Sequence, residues 1–189
     1  ASVIRGIDWV VSNRNPLAIR VLNLSLGAPA RSRYWDDPLN KAVMRAWQSG
    51  IVVVVSAGNS GPLPQTVGVP GNIPYVITVG AMTDNYTSSK ADDSLASFSA
   101  AGPTFEGFVK PDLVAPGGGF PLLPTCGSDD SLFTRGVPIF QLTFMGSGFK
   151  NFGYPGGYEG TSMAAAHVSG VAAMVIASRV VGSSPREVE

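Results

Sequence analysis

Ser162 and His167 stand together in GTSMAAAH (160–167), and a serine beside a histidine suggests a nucleophile with its general base. His167 is the only histidine among 189 residues, so no other imidazole in this chain could serve. Ala164, Ala165, Ala166, Val168, Val171, Ala172, Met174, Val175 and Ile176 predict a core helix that starts near Thr161 or Ser162 and buries most of its faces. Five residues along a helix turn through about 500°, which sets His167 about 140° around the axis from Ser162. Residues three or four apart share a face, and this pair does not. A base must approach its nucleophile to about 2.6–3.2 Å. The spacing therefore predicts that His167 is a packed helix histidine, hydrogen-bonded inside the core, and not the base of Ser162. By local sequence alone Ser162 also reads as a helix cap. Asn59, in Asn-Ser-Gly-Pro, reads equally as a turn residue.

The elements that would position these groups alternate along the chain. SVIRGIDWVVSNR predicts a first helix with Val3, Ile7, Val10 and Val11 on one face. IRVLNLSL (19–26) reads as a strand. Asp37-Pro38 then caps a helix running to about Gln48, stopped by Gly50. IVVVVSA (51–57) is a continuous β-branched run, as expected of a strand covered on both faces. YVITVGA (75–81) and PDLVA (111–115) read as further strands. Strands alternating with helices predict an α/β fold of three layers, a mostly parallel sheet with helices on both faces. Ligands of such sheets bind beyond the carboxyl ends of the strands. The loops there are SLGAP, GNSGP and VGVPG. The Gly-, Pro- and Ser-rich segment 118–159 is expected to be an insertion or long loop with a strand or hairpin near PIFQLTF. At the end, Ser184, Pro185 and Glu187 form a helix-start signature.

Composition bounds the partners. Hydrophobic residues make up 44% and charged residues 14%, a globular composition with a sparse charged surface. The formal charge of zero points to neither nucleic acid nor an anionic membrane surface. No apolar run is expected to span a bilayer. Cys126 stands alone, cannot form an internal disulfide and reads as a loop thiol. The adjacent carboxylates Asp36/Asp37, Asp92/Asp93 and Asp129/Asp130 do not make a spaced ligand loop and are expected to be caps and solvated turns. Trp9, Trp35 and Trp47 are expected in the core or on its rim.

GTSMAAAH, VLNLSLG, VVVVSAGNSG, VGVPG, ASFSAAGP and KPDLVAPG, in this order and spacing, resemble the subtilisin-like serine peptidases, the subtilases. The resemblance covers nearly the whole chain outside the insertion and implies an incomplete subtilisin-like catalytic domain over 1–189. It implies Ser162 as nucleophile, with the Ser162 backbone N–H and the Asn59 amide as oxyanion donors. It also implies Ser25-Leu26-Gly27 and Ala57-Gly58 as walls of the primary specificity pocket, with Gly68 near its floor. An extended peptide or protein substrate would then pair with the main chain around Leu26. No charge lines that pocket in the sequence, which predicts a broad or apolar preference. The family is mostly secreted and often binds calcium, although no metal site can be assigned to residues here.

This sequence departs from the pattern in two ways. Ala166 stands where the family usually has proline. The family's aspartate and histidine motifs lie upstream of the matched region, so the chain reads as the C-terminal part of a catalytic domain and its expected partner is the missing N-terminal part. Losing the histidine of a Ser-His-Asp site removes about 10⁶ of the rate. The chain alone is therefore expected to be inactive as a peptidase. A peptide-binding pseudoprotease is the alternative. A nucleotide-binding domain is disfavoured, because VVVVSAGNSG lacks the phosphate fingerprint and Pro62 and Pro64 oppose an immediate helix.

Overall fold

The computed structural model describes residues 1–83, 89–118 and 159–182. The expected hairpin near PIFQLTF, Cys126, Asp129/Asp130 and the helix start at Ser184 lie outside the described residues.

The four-valine run forms the centre of the molecule. In β2 (Val52–Ser56) side chains alternate between faces, so Val53 and Val55 enter one core while Val54 enters another. β1 (Val21–Leu24) pairs with β2 in parallel, Val21 opposite Val52. β3 (Ile77–Thr83) lies parallel on its other side, Ile77 opposite Val54. β4 (Ser94–Leu95) joins the end of β3 antiparallel, and β5 (Leu113–Pro116) pairs with β3 in parallel. Among the described residues β1 pairs only with β2, so its other edge carries no strand.

Two helices cover one face of this sheet. α1 (Ser2–Asn13) buries Ile7 and packs Ile4, Val10 and Val11 against the first core. Val3 was expected on that face and is instead 42% exposed: the stripe centres on Ile7, with Ile4 in the first-turn contact and Val3 at its rim. α2 (Pro38–Gln48) starts where proline at the first position and an aspartate cap predict, the Asp37 carboxylate accepting from Leu39 N–H at 2.8 Å and Asn40 N–H at 3.1 Å. It buries Ala42, Val43 and Ala46 beneath α1 and stops at Gly50, whose φ of +87° suits glycine. The Asp8–Arg45 ion pair joining the two helices is half exposed on both sides and contributes about 0–1 kcal/mol.

The opposite face carries α3 (Thr161–Gly182), which contacts β1, β2, β3 and β5. Three layers with helices on both faces are thus present. Among residues 161–179 of α3 only Thr161, Ala164 and Ala165 are buried, while Val171, Met174 and Val175 are 52%, 65% and 48% exposed. This corrects the expectation of a helix buried on most of its faces. Small residues let the first two turns settle on the sheet, and the helix then runs on past the strands that could cover it. Residues 161–179 are also long and apolar enough to cross a membrane, at mean hydropathy 1.4, where the sequence reading saw no such run. The three tryptophans sit at the surface rather than in the core: Trp9 is 57% exposed, Trp47 stacks on Tyr75 and Trp35 meets Tyr34 edge-on.

KPD closes the far side of the sheet. The Lys110 ammonium is buried, donating to Val76 O at 2.8 Å and to the Asp112 carboxylate at 2.6 Å, and that carboxylate also accepts from Thr78 N–H. These bonds fasten β5 to β3. Replacing Lys110 by methionine keeps the stem and leaves a buried carbonyl without its donor, so the unfolding free energy in urea is expected to fall by about 1–3 kcal/mol.

Candidate active site

The carboxyl ends of β1 and β2 and the amino end of α3 converge. β2 leads through Ala57 to Gly58, whose φ of +109° is a conformation that side chains resist. The chain turns there and presents Asn59 to the start of α3. Asn59 Oδ1 accepts two hydrogen bonds from Thr161, from the backbone N–H at 2.9 Å and from the hydroxyl at 2.8 Å. A backbone N–H can only donate, so its partner must be the amide oxygen, and this fixes which way the Asn59 side chain faces. The amide Nδ2 has no acceptor among the described residues. The Thr161 hydroxyl in turn accepts from Gly58 N–H at 3.1 Å, so it is fully engaged and buried.

Gly160 permits this arrangement. A Cβ there would come within 3.1 Å of Asn59 Nδ2, and its φ is +155°. Glycine thus lets Asn59 and the helix start lie side by side. Ser162 follows at the second position of α3, half-buried, where free N–H groups and the positive dipole end favour developing negative charge. Its own N–H has no acceptor among the described residues.

The Ser162 hydroxyl rests on Ser25 O at 3.4 Å, a long contact. His167 is not beside it: its Nδ1 is 3.0 Å from Pro116 O. His167 is hydrogen-bonded as the sequence suggested, but it is exposed rather than inside the core: the helix packs on the sheet through Ala164 and Ala165, and residue 167 lies at the margin of that contact, at the end of β5. No imidazole among the described residues is placed to take the serine proton.

A cavity of about 480 Å³ opens beside these groups. Ser162, Asn59, Leu26, Gly27, Ala57, Gly58 and Gly68 all line it, and among the described residues no charged one does. Ser25 does not. It lies behind the serine, its hydroxyl donating to Ser162 O at 2.8 Å and accepting from the Asn23 amide at 2.9 Å, while Ser169 on α3 donates to Asn23 Oδ1 at 3.0 Å. This relay joins the end of β1 to the start of α3. Beneath the cavity, Ala28 and Val69 exchange backbone hydrogen bonds of 3.0 and 2.9 Å. A Cβ on Gly68 would meet Ala28 O at 2.3 Å, so glycine is needed there for the two chains to approach, beyond simply leaving the floor open.

Sequence reasoning missed Thr161 and Phe105. Thr161 precedes the serine at the helix start, a position whose hydroxyl commonly bonds locally; its partner Asn59 is remote in sequence and gives no local signal. Phe105 lines the cavity although it is 70% exposed. Among the described residues no group of three or more His, Cys, Asp or Glu side chains could hold a metal ion.

Known proteins resemble this chain over most of its length. The chain is 40% identical over 182 residues to the serine protease AprX of Bacillus subtilis (strain 168), covering 93% of this chain and 38% of AprX. It is 35% identical over 176 residues to subtilisin amylosacchariticus of Bacillus subtilis subsp. amylosacchariticus, covering 92% of this chain and 34% of that protein. It thus spans little more than a third of these relatives. Its fold matches the S41 psychrophilic protease with a TM-score of 0.59 at 23% identity, over 92% of this chain and 48% of that one. The model of the subtilase family matches residues 1–189, and the chain belongs to that family.

Proposed function

We propose that this chain is the serine-bearing part of a subtilisin-like endopeptidase. The observation that carries this reading is the fixed Asn59 amide beside the amino end of α3 and Ser162, at the mouth of a cavity with no charge among its described lining residues. Ser162 Oγ attacks the scissile carbonyl carbon, its proton passing to a base that returns it to the leaving amine, and an acyl-enzyme forms as the C–N bond breaks. Water then releases the acyl group. In each step the carbonyl oxygen becomes an oxyanion, and Ser162 N–H and Asn59 Nδ2 are the donors for it. An extended peptide pairs with the main chain near Leu26 and Gly27 and places a side chain in the cavity. The lining selects a broad or apolar side chain over a charged one.

The base and its orienting carboxylate come from the N-terminal part of the catalytic domain. Two features offer it a seat: the strand-free edge of β1 and the apolar stretch of α3 at Val171, Met174 and Val175. An unpaired strand edge is a template for pairing with a further strand, and clustered exposed apolar residues mark a contact surface. The extracellular setting and any calcium are parts of this proposal that belong with the whole protein.

Labelling by a fluorophosphonate probe, read by intact mass, tests the reading. The chain alone is expected to stay unlabelled, and the protein carrying the upstream segment is expected to take up one probe, lost on Ser162→Ala. A whole protein that binds product peptides but never labels would make it a peptide-holding relative without cleavage.

A further inference from the structure

Phe105 has no role in the chemistry above, yet it lines the same cavity as Ser162 and Asn59. It sits at the tip of the turn Thr104–Phe108, and its neighbours are all anchored. Thr104 is buried; its N–H donates to Phe108 O at 2.9 Å, its carbonyl accepts from Gly107 N–H at 2.9 Å, and its hydroxyl accepts from Phe108 N–H at 3.2 Å. Gly107 turns the chain at φ +91°. Glu106 reaches away from the tip and accepts from Tyr34 N–H at 2.6 Å, while Phe108 meets the Tyr34 ring edge-on at 5.8 Å between centroids. Burial pushes the Tyr34 phenol above its ordinary range, and Tyr75 and the Glu106 carboxylate add to this, so the phenol stays neutral beneath the turn. A turn held at four of its five residues leaves one large apolar side chain 70% exposed at the cavity.

We propose that Phe105 is a specificity-determining residue that gives the cavity a preference for an aromatic substrate side chain over an aliphatic one of similar size. This rests on the peptidase reading of the cavity. Among the described residues the rest of the lining is aliphatic, small, hydroxyl or amide, and Phe105 supplies the one aromatic ring. Offset or edge-on aromatic pairs gain beyond area burial, enough for about a three- to tenfold preference. Because the turn is already fixed, no ordering of backbone offsets that gain on binding.

The test uses the whole protein carrying Ser162→Ala, so that binding is read without hydrolysis. Two acetylated product-like peptides, identical but for a terminal Phe or Leu, are titrated by calorimetry with and without Phe105→Leu. The Phe peptide is expected to bind about three- to tenfold tighter, falling to within about twofold in the Phe105→Leu protein. Phe105→Leu keeps an apolar side chain on an exposed tip and leaves the turn's hydrogen bonds intact. A preference unchanged by Phe105→Leu, or binding of neither peptide, overturns the proposal. Fluorophosphonate labelling of the unmutated protein separates the two claims. Labelling with an unchanged preference removes only the role of Phe105, and a lost preference without labelling keeps that role while removing hydrolysis.

Discussion

The isolated chain is expected to cleave peptides no faster than its own Ser162→Ala variant, and restoring the upstream segment to raise the Ser162-dependent rate about 10⁶-fold. That factor is the loss seen in subtilisin itself when serine or histidine is removed, leaving about 10³–10⁴ over water from oxyanion binding and substrate binding. The structure explains why the contrast should be so large. The Ser162 hydroxyl has only a long contact to Ser25 O, and the chain's one imidazole is engaged at Pro116 O on a different side of α3. Among the described residues no side chain is placed to accept the serine proton. Hydrolysis of a chromogenic peptide by the purified chain, the whole protein and both Ser162→Ala variants makes the measurement. An isolated chain with Ser162-dependent turnover would overturn the reading.

Replacing Asn59 by alanine in the whole protein is expected to lower kcat about 10²–10³-fold with little change in KM, the scale found for the oxyanion asparagine of subtilisin. Such a split is expected of a donor that meets its acceptor only in the transition state. Thr161 provides the finer control. Thr161→Val removes the hydroxyl that donates to Asn59 Oδ1 and accepts from Gly58 N–H, but leaves the backbone N–H that also holds the amide. The expected fall in kcat is about three- to tenfold, again at constant KM, and Thr161→Ser is expected to restore it. A Thr161→Val protein that loses stability yet keeps its kcat would reduce Thr161 to a packing residue.

Much of this fold is legible from local chemistry and from periodicity. Asp37-Pro38 could only start a helix well, and Gly50 could readily end one. The valines of 52–55 required cover on both faces, which fixed β2 at the centre with a helix layer on each side. Ordered motifs placed Ser162 and Asn59 in their family positions, and the tertiary structure brings them to one cavity with Leu26, Gly27, Ala57, Gly58 and Gly68. Helical geometry alone separated His167 from Ser162.

Other features arise only once distant segments have packed together. The surroundings of His167 and the outer half of α3 depend on which elements lie over the helix, and an apolar sequence reads the same whether or not they do. The orientation of the Asn59 amide is set by Thr161, 102 residues away, and the ring at the cavity comes from a turn held by Tyr34, 72 residues from Glu106. Such contacts leave no mark on spacing or composition, because a hydrogen bond between distant segments is created by the fold that brings them within reach.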